Sequence, residues 1–317
     1  MDKVYRGGLA ALFHKEMTDH VRGVRFLIVI ALIWLTCFAG LYGALSGISD
    51  VASQDSDFLF LKLYTTGGNS IPSFSTFIAL LGPFVGLALG FDSINRERNN
   101  GTLNRLLAQP IYRDSVIIGK FLAGLAVIAL MVFTMGTLMG AVGIFRTAII
   151  PSWEEVARVF TALLFTCFYI GFWLGLAILF SVICQHAATS ALATIALWMF
   201  FTLFFGLLST IIAGAVFPVG GAYGEANLMR YYTLEMNLNR VSPYYLYGEA
   251  ITTILNPSIR FINVVSVDQV YGTVAGYLPF GQSLLLVWPH LTGLTALTIV
   301  TFAISYIFFM RQEVRAS

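Results

Sequence analysis

Apolar positions fall into six long runs, at about residues 26–45, 74–91, 117–145, 159–183, 188–217 and 291–310. A bilayer core is crossed by about 20 predominantly apolar residues in helical form, which satisfies its own backbone groups in lipid. With Lys120 counted to the loop before the third run, none of the six contains Asp, Glu, Lys or Arg. The pattern predicts an all-α integral membrane protein whose six transmembrane helices occupy residues 26–310. Ahead of them, Leu9, Leu12, Phe13, Met17 and Val21 recur at helical spacing and make one apolar face. Lys15, Asp19 and Arg22 take the other face at spacings of four and three, where they can pair. Residues 1–25 are therefore expected to form a tail with an N-terminal interfacial amphipathic helix lying at the headgroups. The first run exceeds the roughly 7–15 residues of a signal-peptide core and is expected to remain as a span.

Inside the runs, Gly82, Gly86 and Gly90 form a stripe at spacing four, as do Gly136 with Gly140 and Gly171 with Gly175. Such stripes let helices approach closely. Pro83 should kink the second span by removing a backbone hydrogen bond. Residues 218–290 are too long and too apolar for a plain loop and hold Tyr223, Tyr231, Tyr232, Tyr244, Tyr245, Tyr247, Tyr271 and Tyr277. Tyrosine favours the membrane–water boundary. Short helices are expected there, dipping back into the outer leaflet and broken at Pro243, Pro257 and Pro279; a folded external cap is the alternative.

Composition agrees with a lipid solvent: 58% of the 317 residues are hydrophobic and 11% charged, against about 25% charged in soluble domains. A net charge of +2 gives no basic field for nucleic acid. Cys37, Cys167 and Cys184 are scattered in or beside apolar runs and read as buried thiols. Orientation follows the positive charges. With the N-terminus inside, Lys3, Arg6, Lys15, Arg22, Arg25, Arg96, Arg98, Arg105, Arg113, Lys120, Arg311 and Arg315 are cytoplasmic, twelve of the 18 Lys and Arg. Both termini, including the tail 311–317, are thus expected in the cytoplasm.

Catalytic patterns are missing. No stretch matches the P-loop G-x-x-x-x-G-K-[ST], and Gly119-Lys120 is followed by Phe121. His14 and His20 lack zinc-protease spacing, and His186 and His290 read as lone residues at span ends. The chain is expected to be no enzyme itself, to bind no metal and to hold no cofactor. Spans without ionisable groups argue against an ion-coupled carrier, so energy should arrive from a partner.

Residues 92–116, between the second and third spans, carry the most information. Asn99-Asn100-Gly101 is a strong turn signal. Thr102 can cap a short helix whose Leu103, Leu106 and Leu107 form an apolar edge, ended by Gln109-Pro110. A soluble motor could grip such a helix; an ordinary solvated loop is the other reading.

Glu97, Gly101-Thr102-Leu103, Leu106-Leu107, Pro110-Ile111, Arg113 and Gly119-Lys120 together resemble the cytoplasmic-loop signature of type-2 ABC exporter permeases. The nearest branch includes the permease linked to copper-enzyme maturation in nitrous-oxide reductase assembly. Phe13-His14-Lys15-Glu16 resembles that family's Lys-Glu on its interfacial helix, and Arg311-Gln312-Glu313-Val314-Arg315 its C-terminal ending. The resemblance implies a multi-pass subunit of the prokaryotic plasma (inner) membrane with a cytoplasmic coupling helix and external re-entrant helices before the last span. It implies two copies of a cytoplasmic ABC ATPase, which bind ATP and Mg, and a second permease subunit in a homodimer or heterodimer, surrounded by membrane lipid. Arg96, Glu97, Arg98, Gly101, Thr102, Leu103, Leu106 and Leu107 become the expected ATPase contacts, with Glu97 making charge-assisted bonds and the leucines filling a groove. Lys15 and Glu16 would relay from the interfacial helix. The expected function is export of a hydrophobic or amphipathic substrate by ATP-driven alternating access. A force-transmitting subunit without cargo and an ion-coupled carrier stay open as alternatives.

Overall fold

The computed structural model describes residues 2–54, 58–68, 71–102, 111–148, 150–219, 224–264 and 276–312. Leu103, Leu106, Leu107, Gln109, Pro110, Tyr223, Tyr271 and Arg315 therefore lie outside the described residues. The described chain is helical, with no strand among its elements: α1 (Asp2–Arg22), α2 (Val24–Gln54), α3 (Leu59–Thr65), α4 (Phe74–Gly90), α5 (Asn95–Asn99), α6 (Arg113–Thr147), α7 (Trp153–Ile183), α8 (Ala187–Val216), α9 (Gly224–Asn239), α10 (Pro243–Leu255) and α11 (Phe280–Arg311). Six segments are long and apolar enough to cross a membrane, drawn from α2, α4, α6, α7, α8 and α11. This is the six-span all-α architecture expected from the hydropathy pattern.

Helix α7 is the most enclosed of the six and packs against α4, α6, α10 and α11. Its start is fixed by a capping box: Ser152 Oγ accepts from the Glu155 amide, and Glu155 Oε2 accepts from the Ser152 amide at 2.8 Å. The other Glu155 oxygen accepts the Phe60 amide at 3.2 Å, which ties α3 to this end of α7. Close approach of α4 explains its glycine stripe. A methyl group on Gly86 would fall 2.7 Å from the Ile170 carbonyl oxygen, so the two backbones touch there. The stripes on α6 and α7 likewise face neighbours in the same chain, Gly136 meeting Leu163 and Gly171 meeting Leu125.

Pro83 lies inside α4 and leaves the Ala79 carbonyl, four residues earlier, without its helical donor. The buried Tyr169 hydroxyl donates to that oxygen at 2.8 Å. Helix α8 is the least enclosed span and carries a π-helical turn at Phe200–Phe204. Helix α10 begins at Pro243 and stops before Pro257, and α11 begins directly after Pro279.

Three polar residues depart from the sequence reading. Helix α11 starts at Phe280 rather than near Leu291, so His290 lies within it, buried, and its Nε2 meets Glu249 Oε2 at 2.6 Å. His290 is thus neither alone nor at a span end. Helix α6 starts at Arg113 rather than near Ile117 and takes Lys120 inside; α7 starts at Trp153 rather than near Val159 and encloses Arg158. The spans therefore do hold ionisable groups. An apolar-run ruler stops at such positions, yet each is neutralised or hydrogen-bonded by a partner distant in sequence, and the helix runs on.

Candidate functional site

The short helix α5 is held by the ends of two spans. Ser181 Oγ, fully buried near the end of α7, accepts the Ile94 and Asn95 amides at 3.0 and 3.2 Å. It supplies from another helix the acceptor that an N-cap side chain usually provides. With its amide nitrogen turned toward the two carbonyls, Asn95 donates to Ser181 O at 2.7 Å and Cys184 O at 2.6 Å. Arg98 donates to Val182 O at 3.2 Å and to Gln312 Oε1 at 2.6 Å, while Gln312 Nε2 donates to Val182 O at 2.6 Å. Arg113 donates to Phe309 O at 2.7 Å and Gln312 O at 2.5 Å, beside the Phe309 ring. The last turn of a helix exposes carbonyls and a partial negative charge, so arginine is suited to each position. Both flanks of the loop are bolted to the final turns of α7 and α11.

A charge cluster joins the same loop to α1 and α6. Lys120 Nζ lies 2.9 Å from Glu16 Oε1 and 2.9 Å from Glu97 Oε1, and its side chain is 4% exposed. Lys15 reaches Glu16 at 3.0 Å, Glu97 at 3.5 Å and Asp19 at 3.6 Å. A desolvated ammonium is tolerated here because carboxylates surround it. Burial pushes the Glu16 carboxyl up, but Lys120 and Lys15 outweigh it and hold the group below the usual carboxylate range. Burial works against the Lys15 charge too, yet Glu16, Glu97 and Asp19 raise its pKa on balance. His20, at the edge of the cluster, is driven down chiefly by burial and is kept neutral. Glu97 Oε2 is enclosed without a hydrogen-bond partner among the described residues.

Helix α1 leans on α6 through Leu12, packed against Gly119, and Glu16, paired with Lys120 one turn further on. The expected Lys15–Asp19 pair along its polar side forms.

The predicted residues divide into two groups. Lys15, Glu16 and Glu97 come together in the cluster, and Arg98 is spent on Val182 and Gln312. Arg96, Gly101 and Thr102 are exposed. Gly101 has φ +66°, the left-handed conformation that ends α5 and that glycine adopts without strain. The Thr102 hydroxyl donates back to Glu97 O at 3.2 Å, and the helix it was expected to cap lies outside the described residues. Through Oε1 alone, the Glu97 carboxylate is paired with Lys120 and Lys15 within the chain. Lys120, Arg113 and Gln312 stood in the family-like stretches without being assigned to the site, and Ser181 was missed altogether. A lysine at the head of an apolar run, beside a glycine-lined helix contact, is a further signal that could have pointed to Lys120.

A second polar group lies at the other end of α7, since Arg158 and Ser181 are ~35 Å apart at 1.5 Å per helical residue. The fully buried Arg158 guanidinium donates to Glu154 Oε1 at 2.8 Å, Ile254 O at 2.9 Å, Leu278 O at 2.6 Å and Ser283 Oγ at 3.1 Å. Nearby, Arg240 forks onto Glu249 with two bonds of 2.9 Å, and Glu249 also meets His290. Burial pushes the Glu249 carboxyl up, but its bonds to His290 and Arg240 bring it below the usual range. These contacts fasten α10 to α7 and α11.

The profile of the ABC-2 family transporter proteins matches residues 10–314. A protein of Pseudomonas aeruginosa described as "Probable ABC transporter permease protein NosY" is 28% identical over 204 residues, 61% of this chain and 66% of that one. A protein of the same description from Stutzerimonas stutzeri is 30% identical over 118 residues, 37% of this chain and 39% of that one. Each match spans less than two thirds of the relative's length.

Proposed function

Because this chain belongs to the ABC-2 family of transporter proteins, as a multi-pass membrane subunit of an ABC transporter, we propose that the loop around α5 is where a separate ATPase drives it. The curated relatives carry the description of probable ABC transporter permeases, which supports the same reading. One observation carries it: α5 is tied by Ser181, Arg98 and Gln312 to α7 and α11, and by Glu97 and Lys120 to α1 and α6. A push on this loop therefore moves four helices together.

In this reading two cytoplasmic ATPase subunits, carrying ATP and Mg, dock on the exposed face formed by Arg96, Gly101 and Thr102, with Leu103, Leu106 and Leu107 completing the contact. Glu97, Lys15 and Glu16 work behind that face as struts. Closure of the ATPases rocks one membrane half against the other and opens a path outward between two permease subunits. Both termini of this chain are cytoplasmic, and α9 with α10 closes the external side of a plasma (inner) membrane protein. A hydrophobic or amphipathic cargo fits best, since the buried charges Lys120, Arg158 and His290 of the described spans are engaged internally rather than turned to an ionic one. The clamps at both ends of α7 equally suit a subunit that passes force to a neighbour, and reconstitution with ATP and lipid or peptide cargo separates the two. Purified alone, the chain should hydrolyse no ATP, and it should co-purify with an ABC ATPase. Hydrolysis by the isolated chain would overturn the division of labour.

A further inference from the structure

A cavity of about 750 Å³ opens between α1, the start of α2, the end of α4 and α5. That size is within the roughly 300–1,000 Å³ of small-molecule sites. Its two sides differ in chemistry. Phe26 and Val29, in the first turns of one candidate span, and Val85 and Leu89, in the last turns of α4, give it an apolar wall beside the charged residues of α1 and α5, as at a membrane boundary. Its polar side includes Arg22, Arg96 and Asp19.

Most charges there are already committed, because Lys120, Glu16, Glu97 and Lys15 neutralise one another. Arg22 and Arg96 differ: both are exposed, and among the described residues neither guanidinium has an ion-pair or hydrogen-bond partner. The Asp19 carboxylate is 63% exposed and makes a long 3.6 Å contact to Lys15, so it too has capacity left. Two planar arginine forks match the oxygens of a phosphate. A carboxylate beside them suits an ammonium, and the apolar wall suits alkyl chains.

We propose that this cavity binds one zwitterionic phospholipid, its phosphate on Arg22 and Arg96, its ammonium on Asp19 and its chains along Val29, Val85 and Leu89. Arg96 also lies on the face proposed for ATPase docking, so lipid binding is measured on this chain alone, without an ATPase, and its failure is distinguishable from a failure of coupling.

The test uses the delipidated full chain in detergent, with bound lipid counted by native mass spectrometry. Phosphatidylethanolamine, phosphatidylglycerol and free glycerophosphoethanolamine are titrated in turn. Wild type should hold phosphatidylethanolamine about tenfold or more tightly than phosphatidylglycerol, and the free headgroup weakly. Each charge-assisted contact is worth ~1.5 kcal/mol or more, about tenfold in affinity. The double variant Arg22→Gln/Arg96→Gln should therefore lose at least that factor, and Asp19→Asn should abolish the preference by weakening phosphatidylethanolamine alone. Arg96→Lys, which keeps charge but not the fork, should fall between. Both arginines are exposed and unpaired among the described residues, so an unchanged melting midpoint in lipid-free detergent is expected of the variants. Equal retention by wild type and double variant, or equal retention of the two lipids, overturns the proposal. Binding of the headgroup alone as tight as the lipid overturns it as well, and assigns the site to soluble phosphate esters.

Discussion

The Lys120 ammonium and the Glu97 carboxylate lie 2.9 Å apart, joining the first turns of a membrane-spanning helix to the loop that precedes it. With Glu16 on the other side of the ammonium, this pair makes α1, α5 and α6 one unit at that end of the bundle. Removing one partner of a buried ion pair costs ~3–5 kcal/mol, because the remaining charge is stranded. Lys120→Met is expected to destabilise by that amount, read from unfolding in detergent. Adding Glu97→Gln to Lys120→Met should recover part of the loss. Additive effects of the two changes would show that the pair is not coupled.

A pH dependence follows from the same cluster. Glu16 binds its proton less readily in the folded chain than at its ordinary value near 4.5. Its contribution is complete above that value and is lost as pH falls through the lower folded one. His20 is also depressed, from an ordinary 6.5, so its contribution is full above 6.5 and declines as pH falls below it. The melting midpoint should drop first below about pH 6.5 and again below about 4.5. His20→Gln should remove the first decline and Glu16→Gln the second. A midpoint that rises on acidification would contradict both signs.

Tyr169 and Pro83 make a separate pair of expectations. Tyr169→Phe strands the Ala79 carbonyl inside the bundle, at a cost of ~1–3 kcal/mol. In the Pro83→Ala background a residue-83 amide can take that oxygen, so Tyr169→Phe should then cost clearly less. A double-mutant cycle read by thermal unfolding checks this, and equal costs in both backgrounds would refute it.

Ser181 offers a test of how α5 is positioned. Ser181→Ala removes the acceptor of two enclosed amides and should speed hydrogen exchange at Ile94 and Asn95 about tenfold or more, the factor that goes with ~1.4 kcal/mol. Exchange in the middle of α7 should hold steady. Unchanged protection at Ile94 and Asn95 would show that Ser181 is a bystander.

The six spans were legible in the sequence because a bilayer imposes length and apolarity on each crossing, and both survive without knowledge of packing. The candidate site was legible in part. Gly101 announced a turn, and Lys15, Glu16 and Glu97 stood out in a family-like pattern. Their mutual contact was hidden because Glu16 and Lys120 are 104 positions apart. His290 was hidden likewise, its partner Glu249 being 41 positions away. Ser181 gave no sign at all: a serine inside an apolar run looks neutral until the amides it accepts, 87 and 86 positions earlier, are placed beside it.

Photo-crosslinking from Thr102, carried out in native membranes, tests the central claim of ATPase coupling most directly. A benzophenone side chain there sits on the exposed face of the loop, and Ile150, 86% exposed between α6 and α7, provides the control position at the other end of the bundle. Irradiation should join the Thr102 probe to an ABC ATPase and leave the Ile150 probe without one. An ATPase adduct at Ile150, or none at Thr102, would contradict the account.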